Sequence, residues 1–396
     1  MDRFCFHFLY YFHSILGLIP FEVDARNVPQ VRRSKRKRRW TIAIACGTSV
    51  LVFYSFYTVV TTISLPTSAF PDAILIRFLV LVECSIRYCT AIICFYQIIH
   101  NEPKLYAGVL RFGAIAQSQW CRGSCHRTLR AVQLLTAKVL FADFGLCTLF
   151  AINDGINHPE SSIQEYRFNV FVVMITAQIG NIILLVLLFG SGAYSQINKH
   201  LKRTICQLLS FDTHCSYWVR RNAIRQQICC DASDTIDRLY ALHEELTEIV
   251  RTVFTILQLP ILLINLNQFI VILSRIYFLY ITITQKGVKY ISYHRFTNTV
   301  LCLCYEVIQC FLLTLGSAII TRTARKPGII LNAFIDAPLD TRTERSIELF
   351  GLALLSNDAR IKVAGLYALD LMFMFTLATT INMYVIVLVQ FQLNMR

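Results

Sequence analysis

The chain has 396 residues, of which 55% are hydrophobic and 16% charged, and its mean hydropathy is +0.53. Water-soluble domains carry about 25% charged residues, so a soluble protein of this length is excluded. The formal charge of +14 needs no nucleic-acid partner, because the basic residues follow a membrane pattern along the chain.

The opening stretch "FCFHFLYYFHSILGLIPF", residues 4–21, is apolar but too aromatic for a signal peptide, and it contains His7 and His13. It is followed by "EVDAR" rather than by small residues suited to cleavage. A retained interfacial helix or re-entrant hairpin is expected here. Next comes "RRSKRKRR", residues 32–39, with seven basic residues in eight. Directly before an apolar span such a run sets topology and stays on the cytoplasmic side, which outweighs a nuclear-localisation reading.

Apolar segments of roughly 18 or more residues read as transmembrane helices. Residues 41–64, 168–190 and 371–391 carry no charge. Residues 252–274 also carry none, and that run continues past Arg275 to Ile283. Segments 72–99, 131–152 and 296–321 are apolar with isolated charges. The sequence therefore predicts an all-α, polytopic membrane protein with seven transmembrane helices. With the N-terminus in the cytoplasm, the inner segments hold 29 Lys and Arg and the outer ones 5. The C-terminus is then extracellular. This topology is inverted relative to G-protein-coupled receptors, and neither Asp-Arg-Tyr nor Asn-Pro-x-x-Tyr occurs at the corresponding positions.

None of the 15 cysteines falls in an expected outer loop, so the thiols should be reduced. The "CRGSCH" stretch, with Cys121, Cys125 and His126, lacks the second ligand pair usual for zinc. No metal and no cofactor are expected. Within the inner segment 192–251, Ile236, Leu239, Leu242, Leu246 and Ile249 recur at helical spacing. Asp231, Ser233 and Asp234 offer N-cap chemistry, Pro260 is the expected kink, and the helix should project about 25 Å below the membrane. Its stripe calls for a cover, either in the same chain or on a second subunit. The inner segment 322–370 mixes apolar runs with charges in the same way.

Ionisable residues within spans are costly and point to function. Glu83, Asp143 and Glu306 all fall about 14–17 Å from the outer ends of their spans. Arg77, Arg87 and Arg275 are available as partners, and Tyr277, Tyr280 and Tyr305 could line a shared polar chamber. Charge pairs that only fix packing are the competing reading, since Glu83 and Arg87 are i, i+4 neighbours. There is no Gly-rich phosphate loop, no H-E-x-x-H and no Gly-x-Ser-x-Gly, so no enzyme is expected.

The last span ends in "MYVIVLVQF", residues 383–391. This resembles the signature of insect gustatory receptors, in which Thr-Tyr is followed by five mostly apolar residues and Gln-Phe. Tyr384, Gln390 and Phe391 match in spacing, while Met383 stands where the family has Thr. The preceding "KVAGLYALDLMFMFTLATTINM" and the inverted topology are also similar. The resemblance implies a tastant-gated, non-selective cation channel in the plasma membrane of chemosensory neurons. It implies homo- or hetero-tetramers with other gustatory receptors, surrounded by membrane lipids and passing monovalent and divalent cations.

The implied ligand-binding residues are Arg77, Glu83, Asp143, Tyr277, Tyr305 and Glu306, and the implied pore residues Tyr384, Val387, Gln390 and Phe391. Three regions follow. Residues 1–40 form a cytoplasmic segment, 41–321 hold six spans with the pocket and the 192–251 extension, and 322–396 form an anchor and the pore helix. A metabotropic receptor and a non-conducting partner subunit are the competing classes.

Overall fold

A computed structural model describes residues 2–24, 30–64, 71–117, 126–145, 148, 163–211, 218–286, 293–334 and 340–394. Helices dominate. The chain begins with α1 (Asp2–Ile15) and an antiparallel hairpin of β1 (Phe21–Asp24) and β2 (Gln30–Arg33). Next come α2 (Lys35–Ser64), α3 (Pro71–His100), α4 (Glu102–Gln117) and α5 (His126–Ala137), the last running into a π-helical turn, Lys138–Asp143. The long helices are α6 (Ile163–Phe211), α7 (Trp218–Lys286) and α8 (Tyr293–Leu331), with a 3-10 turn at Asn332–Phe334. The chain closes with α9 (Thr341–Ser356), a short hairpin of β3 (Lys362–Val363) and β4 (Tyr367–Ala368), and α10 (Leu371–Asn394).

Six of the seven expected spans fall on helices, and the seventh, 131–152, is helical to residue 145, most of its remainder lying outside the described residues. Among the described residues, five helices are long and apolar enough to cross a membrane: parts of α3, α6, α7, α8 and α10. Of the other two expected spans, 41–64 lies within α2, and the described part of 131–152 lies on α5, its π-turn and the residues that follow it. At 1.5 Å per residue the 69 residues of α7 extend about 100 Å. A bilayer core is about 30 Å thick, so most of α7 must project beyond it. Pro260 sits inside α7 without ending it.

One expectation is corrected here. Asp231, Ser233 and Asp234 are not N-cap residues, because α7 begins thirteen residues earlier, at Trp218. In the helix interior two of them meet α9: buried Ser233 has its Oγ 2.9 Å from Ser346 Oγ, and Asp234 pairs with Arg342. The inner stripe is covered by its own chain. Ile236, Leu239, Leu246 and Ile249 are buried in the main core.

That core lies where α6 packs on α7 and α8, with α3 on α6 and α7. Gly190 permits the close approach of α6 and α8, since a Cβ there would come within 2.7 Å of Ile320 Cδ1. The first helix, α1, packs on α5 and buries Leu9 and His13. At the other end, α9 and α10 both pack on α7 and α8. The β3–β4 hairpin turns through Ala364 (φ 50°) and Gly365 (φ 71°). Glycine accepts that conformation freely, whereas alanine does so at a cost of about 1–2 kcal/mol. Asp370 then starts α10, its Oδ1 accepting the Phe373 N–H at 3.0 Å.

Candidate functional site

Among the described residues of the expected spans, the buried charges form two neutral groups rather than one open chamber. In the first, Glu83 on α3 accepts from Arg87 Nη2 at 2.8 Å and from Arg275 Nη2 on α7 at 3.4 Å. Glu306 on α8 supplies the second negative charge; it is buried, and it lines a cavity together with Arg87. Two arginines and two glutamates cancel, which suits a low-dielectric interior.

The second group centres on Asp143, which is 2% exposed. Its carboxylate accepts from Lys138 Nζ (3.1 Å), Gln178 Nε2 (3.1 Å), Asn181 Nδ2 (2.6 Å) and the Tyr305 hydroxyl (2.8 Å). Lys138 also donates to Asn181 Oδ1 at 2.6 Å. Residues five apart lie on different faces of an α-helix. The π-turn at 138–143, with its i to i+5 periodicity, brings Lys138 and Asp143 together.

Tyr305 joins the two groups. Its hydroxyl reaches Asp143, and the residue also lines the cavity beside Glu306. The cavity lies between α3, α6, α7 and α8 and has a volume of about 40 Å³. From α7 it receives Asn267 and Gln268, whose Oδ1 and Oε1 atoms are buried without a hydrogen-bond partner. Glu306 makes no direct ion pair among the described residues. The cavity therefore presents three acceptors to anything that enters it.

Of the six residues expected to bind ligand, Tyr305 and Glu306 line the cavity, and Glu83 and Asp143 stand behind it as ion-pair partners. Tyr277 instead packs with Leu79 and Ile281 in a small apolar cluster. Arg77 belongs to α3, and its side chain lies outside the described residues, as do Cys121 and Cys125. Sequence reasoning passed over Lys138, Gln178, Asn181, Asn267 and Gln268. Four of these are amides inside apolar runs, a signal that could have singled them out.

On α10, only 11% of the apolar window is buried. Val387 and Gln390 are exposed, and at alternating spacings of four and three residues they continue a face formed by Thr376, Thr380 and Met383. Tyr384 and Phe391, seven residues apart, form a second line. Along it the Tyr384 ring meets Phe269 of α7 edge-on, with 5.9 Å between centroids.

Helices of this length and hydropathy define a multi-pass membrane protein. The chain belongs to the 7tm chemosensory receptor family, which matches residues 6–395. It shares its fold with the insect olfactory receptor OR5 from Machilis hrabei, at a TM-score of 0.64 and 14% identity, covering 98% of both chains. The structure of that receptor in complex with eugenol gives a TM-score of 0.67 and 13% identity over 98% of this chain and 99% of that one. No curated protein sequence matches the chain.

Proposed function

We propose that this chain is a gustatory receptor: a tastant-gated, non-selective cation channel that works as a homo- or hetero-tetramer in the plasma membrane. The observation that carries the reading is the bare face of α10. An apolar spanning helix that is 11% buried in its own chain offers the remainder to other copies and to a conduction path. Its Thr376, Thr380, Val387 and Gln390 stripe mixes hydroxyl and amide groups that hydrate ions with aliphatic groups that close a pore by dewetting. Nearby, α9 exposes Leu349, Leu352 and Leu355, at 52%, 62% and 86%, a second apolar face suited to subunit contact. In this reading residues 322–396 are the anchor and pore region, residues 41–321 carry the ligand pocket, and 1–40 are a cytoplasmic segment.

The ligand is a small molecule with hydrogen-bond donors, matched to Glu306, Asn267 and Gln268. In another member of this fold, eugenol, a hydroxyl-bearing aromatic compound, is bound by OR5. Drug-sized ligands occupy roughly 300–1,000 Å³, so a cavity of about 40 Å³ must widen to admit one. Widening moves the helices that hold α10. One turn beyond Glu306, Cys310 Sγ touches Met374 Sδ of α10 at 3.2 Å, and one turn beyond Gln268, Ile272 packs in the same cluster as Leu377 and Ile381.

Whole-cell current from the chain expressed alone, challenged with a panel of bitter compounds and sugars, tests the proposal. The expected result is a ligand-evoked cation current that Gln390→Arg nearly abolishes without reducing surface expression, because like charges would ring a narrow, low-dielectric passage. Normal current through surface-expressed Gln390→Arg would remove Gln390 from the conduction path.

A further inference from the structure

A second and larger cavity, of about 310 Å³, lies between α6, α7 and α8 around Tyr194, residues 247–258 and residues 320–324, bordered by residues 358–362. Its floor carries the hydroxyls of Tyr194 and Thr247, both buried and 2.9 Å apart. Phe254 and Ile320 form apolar walls, and Arg251, Arg360 and Lys362 add cationic side chains.

The charge balance favours an anion. Asp358 is the one acidic residue of the lining, and it is already engaged by Arg325 at 2.9 Å and Lys362 at 3.2 Å. Burial opposes its ionisation, but the Arg360 N–H, Lys362 and Arg325 outweigh this and hold its carboxyl below the usual carboxylate range. No carboxylate among the described residues pairs with Arg251 or Arg360. Two guanidinium groups beside a cavity make a fork suited to phosphate oxygens. Arg251 closes the inner segment 192–251, so the cavity meets the cytoplasmic face of the membrane. Basic pockets between helices at that level suit anionic headgroups.

We propose that this cavity binds a phosphate-bearing anion at the inner membrane face, with Arg251 and Arg360 holding the phosphate and the apolar walls accepting the carbon skeleton attached to it. This goes beyond the channel reading and does not depend on it.

The test uses the purified full-length chain in neutral detergent, with melting temperature and native mass spectrometry as readouts. Phosphatidylinositol 4,5-bisphosphate is the lipid probe, phosphatidylcholine the neutral control and inositol 1,4,5-trisphosphate the soluble probe. The bisphosphate lipid should stay bound and raise the melting temperature, as any ligand of the folded state does, while phosphatidylcholine should not. Arg251→Gln combined with Arg360→Gln should weaken binding at least about tenfold, the effect of about 1.4 kcal/mol. Asp358→Asn should tighten it. Lys202→Gln with Arg203→Gln, about two turns beyond Tyr194 on α6, should leave it unchanged.

If only the lipid acts, the ligand is an inner-leaflet lipid; if the trisphosphate acts equally, it is a soluble phosphate. Either outcome supports the site. Absence of binding by both probes, or equal loss in the α6 control and the cavity variant, would overturn it. Melting each variant without probe separates loss of fold from loss of binding, and Asp358→Asn decides the matter should the double arginine variant fail to fold.

Discussion

Asp143 and Glu306 are both buried carboxylates in one helical bundle, yet their surroundings differ in kind. Asp143 accepts hydrogen bonds from four side chains. Glu306 makes no direct ion pair among the described residues and shares its cavity with two amide oxygens that have no partner. A saturated carboxylate has nothing left to offer a ligand, and its role is to fix α5, α6 and α8 against one another. A carboxylate beside unpartnered acceptors keeps the capacity to accept from a further donor. The comparison separates the polar interior into a structural knot and a receptive cavity, with Tyr305 in the wall between them.

The largest expected effect comes from breaking the knot. Asp143→Ala leaves Lys138 buried without its counter-charge, a loss of about 3–5 kcal/mol, so the protein should largely fail to reach the cell surface. Adding Lys138→Met removes the stranded charge and should restore part of the surface staining. An Asp143→Ala protein that reaches the surface normally and only shifts its ligand response would merge the two regions into one site.

Tyr305→Phe is expected to be milder. It deletes one bond to a charged acceptor, worth about 1.5–3 kcal/mol, while Asp143 keeps three donors. The melting temperature of the purified protein should drop by several degrees. Combined with Glu306→Gln, the changes in stability should add to within about 0.5 kcal/mol if knot and cavity are energetically separate. Strong non-additivity would show the wall to be part of both.

Glu306→Gln keeps the shape of the side chain and removes its charge. Folding should survive, because Glu83 still serves both arginines. A ligand that donates to Glu306 loses a charge-assisted hydrogen bond for a neutral one. The dose-response for donor-bearing ligands should then move by about tenfold, the equivalent of about 1.4 kcal/mol. An unchanged dose-response would place the ligand elsewhere.

Much of this bundle was legible in the sequence, because hydrophobic runs of membrane length carry their own signature. Six of the seven expected spans fall on helices, as does the described part of the seventh, and the stripe from Ile236 to Ile249 is a true buried face. The start of α7 was misread, since Asp231, Ser233 and Asp234 suit an N-cap but lie inside the helix, where Ser233 and Asp234 contact α9. The pairing of Asp143 with Lys138 lay beyond pattern reading for another reason. A spacing of five pairs residues only where the helix widens into a π-turn, and no periodicity in the sequence announced one. Glu306 was singled out as an intramembrane charge at the depth of Glu83 and Asp143, and Tyr305 as a ring and hydroxyl able to line a chamber beside it. Asn267 and Gln268 were passed over because no charge marks them. The division into knot and cavity depends on which acceptors are already occupied, and that is a property of three-dimensional packing.

The smallest expected effect sharpens the comparison most, because it should move stability and ligand response in opposite directions. Gly180 lies on α6 at the wall of the cavity, and a Cβ there would sit 3.2 Å from Gln309 Nε2, the end of a flexible side chain. Gly180→Ala therefore asks only a small displacement of that amide. Alanine in a helix interior is favoured over glycine by about 0.8–1.0 kcal/mol, so the melting temperature should hold or rise by a few degrees. The added methyl nevertheless takes up part of a space of about 40 Å³ and pushes Gln309 further into it. Sensitivity should fall several-fold, more for bulky ligands than for compact ones, with no change in surface expression. The knot offers no such variant, since every change to Asp143 or Lys138 costs stability first. A Gly180→Ala receptor as sensitive as the parent to bulky and compact ligands alike would mean that this cavity never widens around a ligand. Asn267, Gln268 and Glu306 would then be solvated by trapped water alone.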